Sequence, residues 1–147
     1  MTPSFFALVE RIHGHLAVLG LAVLLHPVIT LRRAKPPSRW TQLTADLGAG
    51  LLVLPFFIGW LIYPSYRQHI KPTLWFEQPE VALRFESKEH LAALATALAV
   101  SGALTLRAGK TSQPLVRIAH ALLLTAWGCG VVTALLGIHV ASLTNLP

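Results

Sequence analysis

The sequence predicts an all-α fold, an integral membrane four-helix bundle with a partly helical external connection between its second and third helices. Two observations carry this. Hydrophobic residues make up 54% of the 147 residues and charged residues only 12%, whereas a soluble domain carries about 25% charged residues. The chain also contains four apolar runs, each near the length that crosses a hydrocarbon core of about 30 Å. Lipid admits only helices or closed barrels, and none of these runs alternates with period two, so helices follow. Residues 1–147 read as one membrane domain, with no internal repeat and no low-complexity tract.

The first run extends from about Phe5 to Leu31 and stops at Arg32-Arg33. It is not a signal peptide in form, because it lacks a basic leader and carries Glu10, Arg11, His13 and His15 where an apolar stretch should begin. The second run covers about Leu43 to Tyr63 and is followed by Pro64. Pro55 inside it removes one backbone hydrogen bond, as Pro27 does in the first, and neighbouring helices tolerate this. The third covers about Glu89 to Leu106 and the fourth about Leu115 to Leu143. Residues 64–88 form the long connection. Helix is expected from Pro79 onward, with proline at a first-turn position and Glu80 and Arg84 spaced i, i+4. Val81, Leu83 and Phe85 are expected to lie along the membrane surface or over the bundle mouth.

Charge orients the bundle. Arg32, Arg33, Lys35, Arg39, Arg107, Lys110 and Arg117 fall at one end, with Asp46 as the only acid of that half. At the other end Arg11, Arg67, Lys71, Arg84 and Lys88 are balanced by Glu10, Glu77, Glu80, Glu86 and Glu89. By the positive-inside rule the first group is cytoplasmic, and both termini and the long connection are periplasmic. The net charge of +6 is therefore an orientation signal, and no nucleic acid is implied. Trp40, Trp75, Tyr63 and Tyr66 are placed as interfacial aromatics. Asp46 is expected near the start of the second helix, where the dipole favours an anion.

The chemistry lies in seven histidines: His13, His15, His26, His69, His90, His120 and His139. Ionisable residues at membrane depth are costly and are functional candidates by default. Counted from the arginines at the basic end, His15 and His90 each stand 17 residues away, about 25 Å along the helix. His26 stands 6 residues from Arg32, and His120 stands 3 from Arg117, about 9 and 4.5 Å. Height thus pairs His15 with His90 and His26 with His120. His15 and His26 are 11 residues apart, which leaves about 20° after three turns, so they share a face with Ala22. His13 is offset from His15 by about 200°. Below His90, the same face of the third run carries Ala93, Ala97 and Ser101. Small residues there serve close helix packing or leave room for a flat macrocycle.

Two imidazoles at one height on facing helices are what a six-coordinate haem requires. On His15, His26, His90 and His120 the chain resembles small four-helix bacterial membrane b-type cytochromes. The strings His13-Gly14-His15 and Phe85-Glu86-Ser87-Lys88-Glu89-His90 are similar to those of uncharacterised bacterial four-helix membrane proteins. The resemblance implies a bacterial inner membrane location, haem b as cofactor, electron transfer with quinone, and other membrane or periplasmic redox subunits as partners. It also implies haem-iron ligation by the four histidines, two per haem. In familiar di-haem bundles two helices carry two histidines each, whereas here only the first helix does.

Two other classes remain open. The histidines can serve as polar helix contacts in a non-catalytic membrane subunit or assembly factor. His13, His69, His90 and His139, beside Glu86 and Glu89, can form an outward site for zinc or copper(II). Cys129, the single cysteine, excludes a disulfide scaffold and reads as helix packing between Gly128 and Gly130. No phosphate-binding glycine loop, zinc-protease motif or paired-cysteine haem attachment occurs.

Overall fold

Helix-forming runs broken by Pro, Gly and short polar segments become five α-helices and one 3-10 turn among the described residues. A computed structural model describes the backbone of residues 3–33, 36–69 and 71–144. The side chains of residues 3–7, 10, 65, 69, 143 and 144 are not among those described. Helix α1 spans Pro3–Thr30 and ends in a 3-10 turn, Leu31–Arg33. Helix α2 spans Arg39–His69, α3 Lys71–Glu77, α4 Pro79–Ala108 and α5 Gln113–Thr144. Four of these are long and apolar enough to cross a membrane.

The four long helices form a ring. α1 packs on α2 and α5, and α4 packs on the same two helices. α1 and α4 therefore stand across one diagonal, α2 and α5 across the other.

The core lies in the half nearest the basic end. Leu21, Leu24 and Val28 meet Ala45, Ala49 and Leu52 of α2, Ala99, Ala103 and Leu106 of α4, and Val116, Ala119, Leu123 and Ala126 of α5. Leu24, Leu106 and Leu123 have no exposure. Small residues let the backbones approach. A Cβ on Gly102 would stand 2.8 Å from Leu123, so α4 and α5 touch where the side chain is missing. Gly130 of α5 likewise receives Leu21 of α1, which gives that flank of Cys129 the packing role expected of it. On α4 the small residues divide. Ala95, Ala99, Gly102 and Ala103 are buried, whereas Ala93, Ala97 and Ser101 are exposed.

Polar ties clamp the basic end. Arg107 of α4 grips Asp46 of α2 in a fork, Nε to both carboxylate oxygens at 3.0 and 3.1 Å and Nη2 to one at 2.8 Å. Asp46 lies two turns inside α2, so an arginine on the neighbouring helix, and not the helix dipole, holds it. Ser38 caps α2, its hydroxyl accepting from the Thr41 backbone N–H at 3.1 Å.

The connection differs from the expected one. α2 continues past Pro64 to His69, and α4 runs unbroken from Pro79 through the third span, so only α3 links them. Tertiary packing explains this. Tyr66 of α2 stacks on Phe85 of α4 at 4.2 Å, and Lys71 pairs with Glu86. Both contacts reward straight helices beyond the apolar runs. Val81 is buried and Leu83 exposed, so those residues do not lie together on one surface. Tyr66 is 9% exposed, packed on Phe85, while Trp40 is exposed.

Candidate functional site

The position of each histidine follows from where its helix turns its core face. Leu24 marks that face on α1 and Ala99 on α4, both with no exposure. His15 precedes Leu24 by nine residues, and His90 precedes Ala99 by nine. Nine residues at 100° each are half a turn. Both imidazoles therefore stand on the outer sides of the bundle, and both are exposed. They lie on helices that stand diagonally across the ring, each half a turn from its core face, so the expected His15–His90 pair does not face inward across the bundle. His26, about 20° from His15, shares the outward face of α1 and is exposed too.

Each of these three rings is held from one side. The Nδ1–H of His15 donates to the Arg11 carbonyl at 2.7 Å. That of His90 donates to the Glu86 carbonyl at 2.7 Å. His26 Nδ1 meets Thr44 Oγ1 of α2 at 2.8 Å. The Thr44 hydroxyl donates its single proton to backbone carbonyls of Trp40 and Thr41, so it accepts from the imidazole. In all three the lone pair is left on Nε2. Orientation through Nδ1–H with Nε2 open is the posture of a ligating histidine.

His120 is placed differently. Its Nε2–H donates to the Val28 carbonyl of α1 at 3.1 Å. Val28 lies in the last turn of α1, just before the 3-10 turn Leu31–Arg33. His120 thus joins α5 to α1 and does not face His26, which turns toward α2. His139 receives Arg84 Nη1 at 2.6 Å on its Nε2, an atom a metal would need. His13 packs its ring against Gly59 of α2, 3.5 Å from where a Cβ would lie. Among the described residues no three of His, Cys, Asp and Glu gather to hold a metal ion, and the side chain of His69, a member of the expected outward cluster, lies outside those described.

The far end of the interior holds a group that the height argument did not single out. His13 lies 11 residues before Leu24 and Lys88 lies 11 before Ala99, each about 20° from its core face. Lys88 sets its ammonium 4.3 Å over the Phe85 ring, and its stem runs beside Gly137 of α5. Tyr66 stacks on the same Phe85 ring. Nearby, the Glu86 carboxylate bonded to Lys71 holds that ammonium above the usual lysine range. Arg84 also meets Glu80 at 3.6 Å. The signal for Lys88 was its 11-residue offset from Ala99, which matches that of His13 from Leu24. It is hidden because small residues, Ser101 and Gly102 among the alanines, are spread around the third run.

An open cleft of about 450 Å³ at this end is lined by Tyr63, Pro64, Arg67 and Gln68. Comparison with known proteins finds no matching family model, curated relative or solved structure.

Proposed function

We propose that this chain is an integral membrane protein of the bacterial inner membrane that carries haem b on outward-facing histidines. It then passes electrons between quinone and a membrane or periplasmic partner. One observation supports this most. His15 and His26 lie on one face of α1, and both rings are anchored through Nδ1 with Nε2 left on an exposed ring. The fit is to the outside of the bundle. The interior near the basic end is filled by Leu24, Ala99, Leu106 and Leu123, all without exposure, and offers no slot for a macrocycle. When bound, haem supplies a one-electron couple tuned by its axial ligands and apolar surroundings. The chain's own part is to fix the rings. The Arg11 carbonyl and Thr44 hydroxyl hold their orientation, and Val18, Leu19 and Ile29, all exposed on α1, provide apolar walls. The basic end faces the cytoplasm by its charge.

The absorption spectrum of protein purified in detergent tests the reading. A Soret band with a sharp α band on reduction is expected. Colourless protein, after expression with ample haem, would overturn it.

A second reading has its own support. His26 meets Thr44, His120 meets Val28 and His139 meets Arg84, and each contact joins two helices. These are the polar helix contacts of a non-catalytic membrane subunit or assembly factor. Colourless, metal-free protein that co-purifies stoichiometrically with other subunits is the outcome that favours this reading.

A further inference from the structure

We infer that the cleft at the far end of α2 binds the phosphate of an anionic phospholipid, with Arg67 as its main donor. The inference rests on the membrane part of the reading above and not on haem.

Depth sets the cleft among lipid headgroups. Tyr63 lies 20 residues beyond Leu43 on α2, about 30 Å along the helix, which is the thickness of the hydrocarbon core. Arg67 is one turn further. It lies 28 residues beyond Arg39 at the basic end, about 42 Å, which matches a bilayer with both its headgroup layers. Arg39 and Arg67 thus stand at opposite headgroup layers. One turn below the cleft, toward the middle of the helix, Trp60 and Leu61 are exposed. An acyl chain has an apolar surface to follow beneath a head held at Arg67.

Spacing gathers the donors. Tyr63 and Arg67 are four residues apart, and so are Pro64 and Gln68, so two adjacent rows of one helix face line the cleft. Its volume of about 450 Å³ falls within the range of ligand sites, about 300–1,000 Å³. Among the described residues the lining holds a guanidinium, a carboxamide and a phenol, and no acid. All three groups donate to phosphate oxygens, and the guanidinium does so with two parallel N–H groups.

Charge selects the ligand. Lys71 is met by Glu86 and Arg84 by Glu80, whereas Arg67 has no acidic partner among the described residues. Lys71 is also close enough to Arg67 for the two cations to repel. With Lys71 set against Glu86, one positive charge is left over, and a phosphodiester carries one negative charge. A zwitterionic head would bring an ammonium or choline group beside Arg67 and Lys71, and a phosphatidylglycerol head brings none. Free phosphate shares the anionic chemistry but has no chain to lie on Trp60 and Leu61.

The test uses the whole chain, delipidated in detergent and followed by native mass spectrometry. The probes are phosphatidylglycerol, phosphatidylcholine with the same acyl chains, and inorganic phosphate. One phosphatidylglycerol per chain is expected at concentrations where the other two leave the chain bare. Arg67→Gln should weaken that binding about tenfold, the loss of one charge-assisted bond. Arg67→Lys, which keeps the charge but not the fork, should retain part of it, and Arg84→Gln at the same end should retain all of it. A photoactivatable phosphatidylglycerol in nanodiscs gives a second readout and should label residues 60–68. Equal binding of the two lipids, unchanged binding by Arg67→Gln, or labelling confined to other segments overturns the site. Phosphate that binds as tightly as the lipid makes this a free-anion site and overturns the lipid assignment. A chain recovered from cells outside the membrane fraction overturns the membrane reading, and this inference with it. Haem content enters none of these outcomes.

Discussion

The Nε2–H of His120 donates to the Val28 carbonyl across the α5–α1 seam, at 3.1 Å. This bond ties the side chain of one helix to the last turn of another. His120→Ala should destabilise the bundle by about 1–3 kcal/mol, since it leaves a carbonyl without its partner in an apolar seam. His120→Gln, which can donate from a similar reach, should recover part of it. Thermal unfolding in detergent checks both. Haem content should be the same in wild type and His120→Gln, because a donor and not a ligand is needed there.

The fork between Arg107 and Asp46 makes a second prediction. The Asp46 side chain is 23% exposed and that of Arg107 58%, so the pair is only partly desolvated. Asp46→Asn should lower the unfolding midpoint, because the contact is two-pronged. Arg107→Lys should be nearly as costly, since an ammonium cannot reproduce the fork. A double-mutant cycle on unfolding free energies measures the coupling. Additive single effects would show that the fork contributes nothing.

Close packing at Gly102 predicts a steric penalty. A Cβ there would come within 2.8 Å of Leu123 Cγ and Cδ2. Gly102→Ala should lose about 1–3 kcal/mol through overpacking, despite the better helix propensity of alanine. Gly128→Ala, with open space around its Cβ, should be neutral or slightly stabilising. Comparing the two midpoints separates packing from propensity.

The Lys71–Glu86 pair binds α3 to α4. Lys71→Gln should raise amide exchange across Lys71–Glu77 while leaving global unfolding almost unchanged, because the pair is partly solvated. The pH dependence follows from sign. A lysine whose folded pKa is raised contributes stability that is fully present below its ordinary value and is lost as pH rises through the higher folded one. Protection of α3 should therefore be flat from neutral into mildly alkaline solution and fall only above the usual lysine range. Hydrogen exchange read at several pH values, corrected for intrinsic rates, checks this. A fall near neutrality would show that another group controls the segment.

Much of the architecture was legible along the chain. Apolar length and arginine placement located four helices and a basic end, because hydrophobicity and charge are additive properties of a segment. Pro79 was read as a helix start for a local reason, its place at a first-turn position, and α4 begins there. The end of α2 was not legible. Pro64 looked like a stop, and only the stacking of Tyr66 on Phe85, residues 19 positions apart, shows why the helix goes on.

The histidines divide the same way. Their heights are a matter of counting residues, and the equal distance of His15 and His90 from the basic end was available from the sequence. So was the shared face of His15 and His26. Which way that face turns was not, because α1 and α4 are apolar or small on every side and carry no stripe that marks the core. The tertiary structure decided it by choosing neighbours. α1 and α4 took opposite corners, Leu24 and Ala99 turned inward, and residues half a turn away were left outside. A residue's depth is set along its own helix, but its direction is set by the helices packed against it.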